Sequence, residues 1–161
     1  KRQIRVQIPP GVEDGQQVRL AGQGEPGEGG GPNGDLYCFI GVRPHSLFER
    51  EGRHIIVRMP ISVSQAALGS DVEVPTLTGK TVVKVPPGTQ GGQVLRLRGL
   101  GLPALSDHGR GDMLVEVHVE VPRRLTPRME ELFREMARIE EKNVGNERRS
   151  WFDKLKDYMG T

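Results

Sequence analysis

At 161 residues the chain has room for one ordinary domain or two small ones, and its 23 basic residues interleave with 21 acidic ones for a net charge of +2. That balance offers no one-signed patch for a phosphate backbone, so nucleic acid is a poor partner. No apolar run nears the roughly 18 residues of a membrane span, and one cysteine, Cys38, excludes an intrachain disulfide framework or a cysteine-rich zinc site within the chain. With no basic-then-apolar leader, the expectation is a soluble, cytoplasmic protein, and 22 glycines and 12 prolines suit short strands joined by turns better than a helical bundle.

In chain order, Ile4, Val6 and Ile8 alternate with polar residues as in a half-buried strand. This pattern begins almost at Lys1, without an initiating Met, and predicts a piece of something longer. Ile8-Pro9-Pro10-Gly11 follows and returns as Val85-Pro86-Pro87-Gly88, 77 residues on. At the same offset Gly15 matches Gly92, Arg19-Leu20 matches Arg96-Leu97, and Gly34-Asp35 matches Gly111-Asp112. Two copies of one β unit are expected. Ahead of the second copy lies a segment absent before the first, about His45 to Gly79. It has strand-like Ile55–Met59, a short helical stretch Ser64–Leu68 stopped by Gly69, and strand-like Asp71–Val74. The second domain is therefore read as complete, and the first as lacking the strands that should pair with Ile4–Ile8.

Val115, Val117, Val119 and Val121 alternate with Glu116, His118 and Glu120 as a further strand. The pattern then turns helical. Thr126 suits an N-cap and Pro127 the first helical position, while Met129, Leu132, Phe133 and Met136 fall on one face of a helix running to about Glu141. Lys142–Arg149 reads as polar and loose. Ser150 is placed as the cap of a last short helix whose Trp151, Phe152, Leu155, Tyr158 and Met159 share an apolar face. So short a helix is not stable alone in water, so its face must dock, and the intervening polar segment favours a partner chain. The expected fold is mainly β: two tandem small antiparallel β-sandwich-like domains, 1–44 (incomplete) and 45–125, then a helical dimerisation tail, 126–161.

With Ile8-Pro9-Pro10-Gly11-Val12-Glu13-Asp14-Gly15, Leu20-Ala21-Gly22-Gln23-Gly24-Glu25, Gly34-Asp35-Leu36-Tyr37, Arg43-Pro44-His45, Phe48-Glu49-Arg50-Glu51-Gly52, Gln65-Ala66-Ala67-Leu68-Gly69, Val74-Pro75-Thr76-Leu77 and Arg96-Leu97-Arg98-Gly99 in order, nearly the whole chain resembles the C-terminal region of the DnaJ family of J-domain cochaperones. The resemblance implies a chaperone that binds unfolded polypeptides, forms a homodimer and hands clients to a DnaK-type ATPase, with no catalysis of its own. Clients would add as an extended strand and press apolar side chains into a pocket. The family's pocket positions carry over to Ile4 and Cys38, with Val6 and Ile40 as same-face neighbours. The J domain, with its His-Pro-Asp tripeptide, and the cysteine-rich module are absent from these residues. No cofactor is expected in this chain, and zinc only in that module if the parent has one.

Other motifs read as structural. Gly22-Gln23-Gly24-Glu25-Pro26-Gly27 fits a dinucleotide fingerprint but leads into glycine-rich sequence that cannot start a helix. Arg110-Gly111-Asp112 is the repeat partner of Asn33-Gly34-Asp35, hence a turn entering a strand. Ser106, Asp107 and His108 are adjacent, which is wrong for a triad, and the four histidines lack ligand spacing. Cys38, between Tyr37 and Phe39, reads as a buried small hydrophobe. The rival to client binding is a structural module that merely spaces dimerised domains. A groove open beside an unpaired strand edge favours the first, and a covered edge the second.

Overall fold

The computed structural model describes residues 3–105, 109–142 and 145–159, so the Ser106-Asp107-His108 cluster lies outside the described residues. Two compact units are resolved, 1–121 and 122–161.

The first unit is all β but for two short helical turns. Strands β1 (Gln17–Leu20) and β2 (Leu36–Phe39) form an antiparallel pair. A four-stranded sheet has the order β3-β4-β8-β7, from β3 (Phe48–Glu51), β4 (His54–Ser62), β7 (Val94–Leu97) and β8 (Met113–Glu120). The hairpin of β5 (Ser70–Thr76) and β6 (Gly79–Val85) forms a third sheet. Between β4 and β5 sits α1 (Val63–Leu68). It starts because Ser62 closes a capping box: its Oγ accepts from the Gln65 N–H and Gln65 Oε1 from the Ser62 N–H. Gly69, at φ +80°, ends it.

The core lies in the second half of this unit. Ile55, Val57, Met59 and Ile61 of β4 alternate inward against Met113, Val115 and Val117 of β8, under Ala66 of α1 and Val74, Val83 and Val85 of the hairpin. Met113, Val115 and Val117 are at most 1% exposed, and each such side chain stabilises the fold by about 1.5–3 kcal/mol on burial. The pairing of β4 with β8 is parallel, and the intervening α1, β5–β6 and β7 supply the long connection a parallel pair needs.

The repeat holds at the level of single bonds. Leu20 pairs with Leu36 and Val18 with Cys38 in β1–β2; Leu97 pairs with Met113 and Leu95 with Val115 in β7–β8. Gly15 N–H donates to Ile40 O as Gly92 N–H does to Val117 O, and Ile40 N–H to Gln16 O as Val117 N–H does to Gln93 O.

One expected strand does not form. Residues 4–8 lie in no ladder, although Ile4 and Val6 are half-buried and Arg5 and Gln7 exposed. Their counterpart, β6, is held by β5, whose own counterpart at the 77-residue offset falls before residue 1. The backbone of 4–8 pairs with no strand among the described residues.

In the second unit, α2 (Pro127–Lys142) begins where expected, with the Met129 N–H donating to Thr126 Oγ1. The last helix, α3 (Asn146–Met159), starts four residues before the expected Ser150 cap. The Arg149 N–H donates to Gly145 O, so Gly145 opens the helix and Ser150 lies inside it. The polar stretch read as loose is thus helical from residue 146. Arg148 and Arg149 are good helix formers, and an apolar stripe marks a helix's buried face, not its ends.

Candidate functional site

The four residues assigned to a client pocket are all half-buried. Cys38 and Ile40 share one face of β2, and Val18, opposite Cys38, with Leu20 and Leu36 continues it across the pair. Cys38 is therefore half-buried and not, as expected, buried. The reason is visible in the other copy. Counterparts of Leu36, Cys38 and Ile40 are Met113, Val115 and Val117, sealed beneath β5, β6 and α1; of that layer only the counterpart of β6, residues 4–8, lies within the chain, while those of β5 and α1 would fall before residue 1. Ile4 and Val6 correspond to Thr81 and Val83, and Val83 belongs to the core with Val115 and Val117. Val6, Cys38 and Ile40 thus hold positions that are core in the second copy and half-buried in the first, while Ile4 matches the half-buried Thr81. Sequence reasoning missed Val18, Leu20 and Leu36. The 77-residue repeat carried the signal, since it aligns all three with inward positions of β7 and β8.

The edge of β2 away from β1 pairs with no other strand among the described residues, whereas the equivalent edge of β8 holds β4. On the opposite face of β2, Tyr37 and Phe39 are 51% and 71% exposed. A cleft of about 900 Å³ lies elsewhere in the first unit. It runs between residues 42–48 and strands β3 and β4, and none of the four predicted residues lines it.

Each copy also carries a turn ion pair, exposed in the first and part-buried in the second, that the sequence showed only as matching letters. Arg19 Nε donates to Asp35 Oδ2 at 2.7 Å and the Gly22 N–H to Oδ1 at 2.9 Å. In the second copy Arg96 Nε donates to Asp112 Oδ2 at 2.5 Å and the Gly99 N–H to Oδ1 at 2.8 Å. The glycine N–H first, then the guanidinium, holds each carboxyl below its ordinary pKa against a smaller opposing effect of desolvation. These aspartates brace the Gly-Asp turns. Among the described residues no group of three His, Cys, Asp or Glu could hold a metal ion, and no helix is long and apolar enough to cross a membrane.

In the tail, Trp151, Phe152, Leu155, Tyr158 and Met159 do fall on one side of α3, and all are exposed. Trp151 and Phe152 meet edge to face with ring centroids 5.1 Å apart. Leu132, Met136 and Ile139 form a second exposed stripe on α2. Neither helix has a residue described as buried.

The sequence model of the DnaJ C-terminal domain matches residues 1–122. The chain belongs to the DnaJ C-terminal domain family. Relatives named "Chaperone protein DnaJ" extend the match through the helical tail. Those of Rhodopirellula baltica and Ruminiclostridium cellulolyticum are each 49% identical, over 159 and 156 residues, 99% and 97% of this chain. One from Cereibacter sphaeroides is 52% identical over 159 residues, 98% of the chain. The chain spans about two fifths of the length of these relatives, 41–42%. The mainly β architecture with a helical C-terminus agrees with membership in the DnaJ C-terminal domain family.

Proposed function

We propose that this chain is the client-holding and dimerising part of a cytoplasmic DnaJ-type cochaperone, which binds unfolded polypeptides for delivery to a DnaK-type chaperone ATPase. The observation that carries this reading is the half-buried apolar face of Val18, Leu20, Leu36, Cys38 and Ile40, whose counterparts in the second copy are core. Such a face binds apolar side chains without reading their sequence, and strand addition would supply backbone hydrogen bonds equally indifferent to sequence. Ile4, Val6, Cys38 and Ile40 are the positions assigned to client contact. Three domains are assigned, 1–44, 45–125 and 126–161. The last joins two copies through Trp151, Phe152, Leu155, Tyr158 and Met159. A dimer then offers two faces to one unfolded chain, which gains avidity without stronger contacts at either. Nucleic acid and membranes are not partners in this reading. Zinc, where the parent binds it, belongs to a cysteine-rich module outside this chain, because Cys38 alone cannot supply a four-ligand site.

The test is a titration against a labelled, reduced and permanently unfolded protein, followed by anisotropy, beside a variant carrying Ile4→Ser and Cys38→Ser. Saturable binding that the folded variant loses is the expected result. Equal binding by both would move the site to the second copy, and no binding by either would leave only a dimerising spacer.

A further inference from the structure

The turn that opens the first repeat is gripped by the four-stranded sheet through one side chain. Arg50, on β3, lies half-buried, with 27% of its side chain exposed. Its Nη1 donates to Val12 O at 2.7 Å, Nη2 to Gly11 O at 2.9 Å and Nε to Gly52 O at 2.8 Å, while Glu13 Oε1 stands 3.9 Å from Nη2. The planar fork thus spans two successive carbonyls of the first repeat and one of its own sheet, a geometry an ammonium cannot copy. Beside it Gly11 presses so close to Pro103 that a Cβ would stand 2.2 Å from the Pro103 carbonyl oxygen. The matching turn of the second repeat docks differently, with the Gly88 and Thr89 N–H groups donating to Ala66 O of α1.

The sheet held this way has two short strands, β1 and β2, and a lone two-stranded sheet is at best marginally stable in water. We infer that Arg50 is a positioning residue, a latch through which the four-stranded sheet keeps the β1–β2 sheet folded and fixed beside it. The latch stands whether or not β1–β2 binds clients.

The repeat supplies its own control, because the amides of Gly15 and Ile40 in the first copy match those of Gly92 and Val117 in the second. Hydrogen exchange of these four is compared in the full chain and in Arg50→Ala and Arg50→Lys. Both variants are expected to speed Gly15 and Ile40 roughly tenfold through the lost charge-assisted bonds and to leave Gly92 and Val117 as they were. If all four rates stay unchanged there is no latch. If all four rise together, Arg50 serves only the sheet it sits on. Wild-type rates in Arg50→Lys would assign the effect to charge and overturn the role of the fork.

Discussion

Asp35 and Asp112 show how a repeated letter becomes a repeated physical device. Each carboxylate receives a glycine N–H and an arginine fork, so its folded pKa lies below its unfolded one. Their contribution is therefore complete above the ordinary carboxylate pKa of about 4 and is lost as pH falls through the lowered folded value. Thermal denaturation from pH 7 to pH 2 should show a melting temperature that drops below about pH 4, and Asp112→Asn should flatten that drop while lowering the neutral-pH value. The glycines before them differ. A Cβ on Gly111 would stand 1.9 Å from Arg53 O, whereas on Gly34 the nearest atom is Glu25 O at 3.7 Å. Gly111→Ala should cost ~3 kcal/mol in urea unfolding, the range of a forced backbone shift, and Gly34→Ala under ~1 kcal/mol. The Asn-Gly-Asp and Arg-Gly-Asp triplets look alike in sequence; only the packing of Arg53 separates them.

Among the elements, the helices show which signals are local. Gly69 marks the end of α1 as read, and the start falls one residue before the expected Ser64, where Ser62 and Gln65 close a cap, because caps act through neighbours in the chain. The same logic misplaced the start of α3, where Ser150 was read as a cap but follows four helical residues. Ser150→Ala should therefore leave the helicity of the tail unchanged or raise it slightly, since Ala exceeds Ser by about half a kcal/mol as an interior helix former; circular dichroism of the chain checks this, and a fall in helicity would restore the cap. Residues 4–8 fail as a strand for the opposite reason. Alternation gives a segment two faces, but a strand exists only when a neighbour takes its backbone hydrogen bonds. The same segment type succeeds in β6, where β5 sets Ser70–Thr76 antiparallel against Val85–Gly79.

At the scale of the molecule, one β unit is used twice in different states of cover. In the second copy the inward layer is sealed; in the first it stays half-buried, and the pocket reading rests on that difference. The tail carries further exposed apolar side chains. Deleting residues 150–161 should convert a dimer to a monomer in sedimentation equilibrium, and Trp151→Asp with Leu155→Asp should do so without shortening the chain, because a charge on that face cannot be desolvated. A dimer that survives both changes would leave the α2 stripe of Leu132, Met136 and Ile139 as the contact. None of these changes should move the unfolding of the first unit, whose core lies wholly within residues 55–117.

The repeat, the turn positions, the Gly69 stop of α1 and the alternation of β4 and β8 were all legible in the sequence, because each is fixed by residues near one another or by strict periodicity. So was the family. The depth to which equivalent positions are covered was not legible. Cys38 and Val115 sit at the same place in the same unit, and whether a side chain is core or open surface depends on which strands lie over it. Nor was the grip of Arg50 on Gly11 and Val12, across 38 residues of sequence. Contacts between distant segments leave no period and no spacing, so tertiary structure alone decided where the first copy is open and what holds it in place.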